Sequence, residues 1–323
     1  LHEVSKTLFY KETKHMRDKM MLYGVTLAKR YTKRQKAYFL AHILESYSAY
    51  GFPAKLQSRK SWTGNINNVI AGSLETAGTI VAAAYDTPAR AFLPGYRYYP
   101  FHTEKNKKEE RKNILVQILI AAIFSITACA GTMRFFKTHA IGMLLLVFLS
   151  VGAAVWGIRV KKNPVNFNRN SASLAVMDKV AENLQGNEHV AFVFLDQGVS
   201  SFEGFKLFRE SLEDAAKNRK KRVILLDCIA YGDTLVAAHG QDDAESARKL
   251  IEIGENHELA IRDKVYTEEK IEGNILSFLP GGIYLASGSI ENGEFVVKDT
   301  RSPKDTKVDM ERLEKIAASI AAF

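Results

Sequence analysis

Carboxylates recur where short apolar runs end: Tyr85-Asp86-Thr87, Leu195-Asp196-Gln197-Gly198, Asp227-Cys228 with Asp233 shortly after, and Arg301-Ser-Pro-Lys-Asp305-Thr306. Acidic groups drawn together repel unless a cation stands between them, so this succession points to an ancestral metal site. The other constellations are thinner. Ser200 and Ser201 lack a Gly-x-Ser-x-Gly elbow and have no His tied to them. His239-Gly-Gln-Asp242-Asp243 reads as a strand end before helix-capping carboxylates rather than as a ligand set. Gly281-Gly282 and Ser287-Gly-Ser289 are turns, without the spacing of a phosphate loop. His102, His139 and His189 stand isolated, with surface placement expected.

A parallel sheet is the element that would bring such carboxylates to one edge. Apolar strands are expected at residues 68–73, 79–85, 190–195, 222–228 and 282–286. Helices are expected at residues 174–184, 202–216, 242–255 and from 308 onward. Residues 14–50 hold no Pro and one Gly, with Phe39, Leu40, Ile43, Leu44 and Tyr47 at helical spacing. They predict a helix or helix pair with a basic, solvated outer face. Short strands alternating with helices give an α/β fold with a mostly parallel central sheet, whose chemistry gathers at the carboxyl ends of the strands.

Two uncharged apolar runs, residues 114–133 and 140–158, interrupt this pattern. Each approaches the roughly 20 helical residues that cross a bilayer core, and only Arg134–His139 parts them. Lys105, Lys107, Lys108, Arg111 and Lys112 precede the pair, and Arg159, Lys161 and Lys162 follow it. Basic residues stay on the cytoplasmic side. The expectation is therefore a transmembrane hairpin at residues 113–158 in the cell membrane. One split domain, residues 1–112 plus 159–323, then faces the cytoplasm. No apolar stretch near Leu1 resembles a signal peptide, which agrees. The net charge of +9 gathers at the hairpin flanks and at residues 11–36. The expected partner of that charge is the lipid bilayer, with no nucleic acid. Two cysteines, Cys129 and Cys228, offer neither a disulfide framework nor a metal site.

The soluble portion resembles, piece by piece and in order, the co-catalytic zinc aminopeptidases of clan MH, which include aminopeptidase Y-like enzymes and the degenerate relatives nicastrin and nicalin. Residues 51–57 and Asn68-Val-Ile-Ala71 resemble the family's first strand and its approach. Ala82-Ala-Ala-Tyr-Asp86-Thr87 is similar to its Gly-Ala-His-Tyr-Asp-Ser strand end. Asn170-Ser-Ala-Ser-Leu-Ala175 resembles Asp-Asn-x-Ser-Gly-x-Ala. Phe194-Leu-Asp196-Gln-Gly-Val199 with Glu203-Gly204 resembles Phe-Asp-x-Glu-Glu and its downstream Gly. Leu226-Asp227-Cys-Ile229 with Gly232-Asp233 resembles Leu-Asp-Met-x-Gly-x-Gly-Asp. Arg301-Ser-Pro-Lys-Asp305-Thr306 resembles His-Thr-x-x-Asp-Thr. The resemblance implies a three-layer zinc-aminopeptidase-like fold.

It also implies where two zinc ions and a base would sit: ligands at Ala84, Arg169, Val199, Asp227 and Arg301, and a general base at Gly198. Only Asp227 keeps its donor. Ala and Val offer no lone pair, and arginine is a fixed cation. A slip of register offers Asn168, Asn170 or Asp299, of which Asp299 alone is a plausible ligand. No cofactor and no catalytic residue is therefore expected. Asp86, Arg169, Asp227, Arg301, Ala84, Gly198 and Val199 remain as a vestigial pocket. A buried carboxylate left unpaired costs several kcal/mol. Arg169, with Arg301 as second candidate, is accordingly placed beside Asp227; the alternative is that both arginines point to water. The expected function is a membrane-anchored pseudo-peptidase that binds a membrane protein, peptide or lipid-linked ligand. The alternatives are a metallo-aminopeptidase with displaced ligands (Asp86, Asp227, Asp299 and a distant His) and a structural subunit of a membrane complex.

Overall fold

The computed structural model describes residues 15–323 apart from 62–63, 160, 200, 218–219, 268–270 and 272–273. Ser200 and the start of the basic run before residue 15 thus lie outside the described residues. The chain opens with helical residues 15–26, whose last turn, Leu22–Thr26, is a π-turn, and continues into α1 (Lys33–Ala49). Strands β1 (Ala54–Ser61), β2 (Gly64–Ala71), β3 (Thr79–Ala84) and the short β4 (Arg97–Tyr98) follow. Next come the helices α2 (Thr103–Thr138), α3 (Ile141–Ile158) and α4 (Ala172–Asn183). The remaining elements are β5 (Val190–Leu195), α5 (Glu203–Ala216), β6 (Arg222–Asp227), β7 (Thr234–Gly240), α6 (Ala244–Asn256), β8 (Ile261–Tyr266), β9 (Gly282–Glu291), β10 (Glu294–Lys298) and α7 (Met310–Ala321).

One sheet carries these strands in the order β1-β2-β5-β3-β6-β9-β10-β4, with β7 beside β9 and β8 outside β7. Its centre, β5-β3-β6-β9, is parallel throughout. These strands read Val-Ala-Phe-Val-Phe-Leu, Thr-Ile-Val-Ala-Ala-Ala and Arg-Val-Ile-Leu-Leu-Asp, near-continuous apolar runs suited to burial on both faces. The flanks correct the expectation of a mostly parallel sheet: β1 to β2, β2 to β5, β7 to β9 and β9 to β10 are all antiparallel, so the sheet is mixed. β2 and β3, consecutive in the chain, are parted by β5. β1, β8 and β10 escape the sequence pattern because as flanking strands they stay polar on their open faces.

Alternating side chains split the core into two layers. Val81, Phe192, Phe194, Ile224 and Leu285 pack beneath α1, α4 and α7. Ile80, Val193, Leu195, Val223 and Leu225 pack against Phe205, Phe208 and Leu212 of α5. The N-terminal basic segment is not all solvated. Lys19 is buried 3.1 Å from Asp178. Arg30 is fully buried, donating to the carbonyls of Tyr23 (3.0 Å), Leu27 and Tyr85 (2.5 Å each) and to Asn166 Oδ1 (3.1 Å). Five fixed donors let a guanidinium knit together chain segments whose carbonyls would otherwise be orphaned.

The apolar runs form two helices packed on each other; a Cβ added at Gly131 would lie 3.1 Å from Val147 Cγ2. Ile126, Phe148 and Leu149 are exposed. Among the described residues, α2 alone is long and apolar enough to cross a membrane, and the apolar stretch of α3 is shorter.

Phe192 sits edge-on to Tyr47 and Phe52, with ring centroids 5.2 and 5.0 Å away. Phe192→Ala leaves a cavity between β5 and α1, and the expected loss is about 3–5 kcal/mol of unfolding free energy, read by chemical denaturation.

Candidate functional site

Three parallel strands end together, and each is followed by or ends on a carboxylate: Asp86 after β3, Asp196 after β5, Asp227 closing β6. All three are buried. They are not neutralised alike. Asp196 forms an ion pair with Lys36 of α1 and accepts from the Asn67 amide (3.1 Å), which removes it from the open cleft. Asp86 accepts from the Val199 amide at 3.1 Å. Burial pushes the Asp86 carboxyl above its ordinary range, opposed by Lys36.

Asp227 is the best furnished. Arg169 reaches it from the π-turn Phe167–Ser171 that leads into α4, and the two form a buried ion pair through Nη1 and Oδ1. Tyr98 Oη and Tyr284 Oη both donate to Oδ2, at 2.8 and 2.7 Å. The Arg169 guanidinium lies over the Tyr98 ring, 4.3 Å from its centroid. The turn carrying Arg169 is held in its turn: Asp305 accepts from the backbone amides of Asn168 (3.0 Å) and Arg169 (3.1 Å). Asn168 Oδ1 accepts from the amides of Ala230 (2.8 Å) and Tyr231 (3.2 Å), and Asn170 Nδ2 donates to the carbonyls of Ala84 (3.1 Å) and Asp86 (2.8 Å). Burial lifts Asp305 from 3.8 to about 7.

Arg301 goes elsewhere. Its Nε donates to the Ala89 carbonyl at 2.7 Å, its Nη1 forms an ion pair with Glu110 of α2, and it lies over the Tyr96 ring at 4.6 Å. This corrects the placing of Arg301 beside Asp227: a closer carboxylate, on the first turns of the long helix, takes it. Above these groups opens a cavity of about 460 Å³. Asp86, Arg169, Val199 and Arg301 line its floor, and Thr103, Asn106, Lys107 and Glu110 of α2 form one wall. Tyr96, Tyr98, Phe202 and Phe278 supply aromatic sides. Asp227, Ala84 and Gly198 lie below, around a small gap shared with Arg169.

No family model matches the sequence, and no curated protein matches it. Solved structures do. The glutaminyl cyclase of Porphyromonas gingivalis superposes with a TM-score of 0.59 at 11% identity, covering 97% of this chain and 96% of that one. A zinc-dependent exopeptidase from Parabacteroides distasonis gives 0.55 at 10%, covering 97% and 96%. The Legionella pneumophila LapA aminopeptidase gives 0.57 at 9%, covering all of this chain and 74% of that one. The fold is that of the zinc-dependent exopeptidases and glutaminyl cyclases.

Such a fold implies zinc, and the residues at the strand ends do not fit it. Among the described residues no three His, Cys, Asp or Glu side chains converge. Both Asp227 oxygens are already engaged, one by a guanidinium and one by two phenols. A Cβ added at Gly198 would stand 2.6 Å from Ala84 Cβ and 3.0 Å from the Phe205 ring, so a larger side chain there must displace both. Asp299 lines different cavities from Asp227, and Asn168 and Asn170 are bound to backbone. His239 is neither ligand nor cap: it lies inside β7, 2.7 Å from Asp263 and 2.6 Å from the Gly240 carbonyl. Ser201 bonds Gln197 at 3.0 Å. Tyr98, Tyr284 and Glu110 were not legible in the sequence. The one available signal was a polar-tipped Tyr284 inside the apolar run of residues 282–286 that opens its strand.

Removing the guanidinium strands a buried carboxylate. Arg169→Met is expected to lower stability by about 3–5 kcal/mol, and adding Asp227→Asn recovers part of it, as denaturant unfolding of both variants would show. For Asp305 the folded form holds its proton more tightly than the unfolded form, with values of about 7 and 3.8. Its contribution is thus full at low pH and is lost as pH climbs from about 4 to about 7. The stability of Asp305→Asn relative to the parent should rise across that window and level off above it.

Proposed function

We propose that this chain is a membrane-anchored, catalytically degenerate member of the zinc-exopeptidase fold, which binds a peptide, membrane-protein segment or lipid-linked group without cleaving it. The observation that carries the reading is the Arg169–Asp227 pair: a cation fixed on the chain occupies the one carboxylate left in the ligand positions that the sequence resemblance assigns. A zinc-bound water needs about three protein ligands and a base. A guanidinium, an alanine, a valine and a glycine supply neither.

What the site offers is shape and charge. The cavity of about 460 Å³ has aromatic sides, a floor with Arg169 and Asp86, and a wall made by the start of α2. A ligand there is held between the domain and the foot of the apolar helices. The span reading rests on the uncharged runs, the basic flanks and the exposed apolar faces of both helices. It places the cavity close to the inner membrane surface.

Elemental analysis of the purified full chain should give zinc well below one per chain, with no chelator-sensitive aminopeptidase or glutaminyl-cyclising turnover. One zinc per chain, lost together with turnover in Asp227→Asn, would overturn the binding role. Topology has its own test. A membrane-impermeant maleimide should label Lys137→Cys in intact cells and Lys264→Cys only after permeabilisation; the reverse pattern refutes the orientation.

A further inference from the structure

A second cavity, of about 400 Å³, lies away from the cleft, where the apolar helices meet the domain. Gln117 of α2 and Trp156 of α3 face it from the helices, and Phe92 and Leu93 close it from the loop after β3. That loop is tied to α2 by the buried Asn113, whose Oδ1 accepts from the amides of Phe92 (2.7 Å) and Leu93 (3.1 Å). The Phe92 and Trp156 rings stand 6.3 Å apart. The apolar wall is therefore built by contacts between domain and helices.

Four cations share this cavity: Arg90, Arg159, Lys161 and Lys304. They come from three separate parts of the chain, and the Arg90 amide joins two of these parts by donating to the Lys161 carbonyl at 2.7 Å. Among the described residues none of the four has an ion-pair partner. Lys161 lies instead over the Trp156 ring, 3.7 Å from its centroid. One carboxylate, Asp299, stands against them, and it accepts a bond from Ser302. An unneutralised cationic pocket with an aromatic wall, at the ends of two apolar helices, has the chemistry of the headgroup layer, where phosphate meets acyl chain.

We propose that this cavity is a binding site for the phosphate headgroup of an anionic phospholipid, whose acyl chains run along the outer faces of α2 and α3. Arg90 and Lys304, from the domain, and Arg159 and Lys161, after α3, surround the phosphate. Trp156 and Phe92 pack on the glycerol region. The inference rests on the membrane-spanning part of the reading above, and adds a site distinct from the cleft. Alkaline carbonate extraction reads the span separately, so its failure and the failure of headgroup recognition are distinguishable.

The chain contains two tryptophans, so Trp62→Phe leaves Trp156 as the sole reporter. The full chain carrying this substitution, held in an uncharged detergent, is titrated with dihexanoyl phosphatidylglycerol, with dihexanoyl phosphatidylcholine and with inorganic phosphate. The expected result is a saturable change in Trp156 emission with the anionic phosphatidylglycerol alone. That response should weaken at least about tenfold in Arg90→Gln with Lys304→Gln, at about 1 kcal/mol per cation, and should fall with added salt. The charge-keeping exchange Arg90→Lys with Lys304→Arg should titrate like the parent, which separates lost charge from lost fold. The proposal is overturned if the two lipids titrate alike, if inorganic phosphate alone reproduces the response, or if the neutralised variant binds as the parent does.

Discussion

The ion pair between Arg169 and Asp227 decides how the strand ends can be arranged. Its carboxylate closes β6 inside the protein, where an uncompensated charge costs several kcal/mol. A mobile metal ion would need a ring of donors to hold it there. A guanidinium needs only a backbone turn that points it correctly, and that turn is where much of the surrounding polar structure is invested. Asp305, Asn168 and Asn170 each bind backbone at its base. Tyr98 and Tyr284 then satisfy the remaining carboxylate oxygen. Both oxygens of the Asp227 carboxylate are thus hydrogen-bonded, a condition under which a buried charge pair is tolerated.

The same kind of bond joins chain segments that lie before and after the apolar helices. Arg30, from before the apolar helices, binds Asn166, from after them, at 3.1 Å while also gathering the Tyr85 carbonyl at the β3 end. Lys19 and Asp178 repeat the pattern at 3.1 Å. Burial draws the Arg30 guanidinium down to about 10, still charged at neutral pH. Basic residues near the N-terminus that look like a solvated face in the sequence are, at these two positions, internal fasteners.

Periodicity made the central strands legible, since Val190–Leu195 and Arg222–Asp227 are apolar on both faces and have no competing helical period. Order along the chain made the fold legible, because six weak strand-end fragments fall in one sequence. The pairing of Arg169 with Asp227 followed from the resemblance, which set Arg169 at a ligand position, together with electrostatics, since an acid kept inside needs a partner. The alternative, that Arg169 points to water, is not what the structure shows. Arg301 could not be placed the same way, since Glu110 belongs to the foot of α2 and nothing local in the sequence says that helix folds back over the strand ends. Tyr98 was hidden for a similar reason. It stands on the two-residue strand β4, which exists only because β10 presents an edge for it. The flanking strands were obscured by polar outer faces that weaken alternation.

The long helix α2 begins as a wall of the cleft and runs unbroken for 36 residues. At 1.5 Å of rise per residue it is a rod of about 54 Å, well beyond a hydrocarbon layer of about 30 Å. Glu110 and Asn113, near its foot, are clamped to Arg301 and to the loop at Phe92. A strut clamped at its base cannot lean there without moving what it is clamped to. The tilt of this rod and the width of the cleft are therefore geometrically linked variables in this molecule.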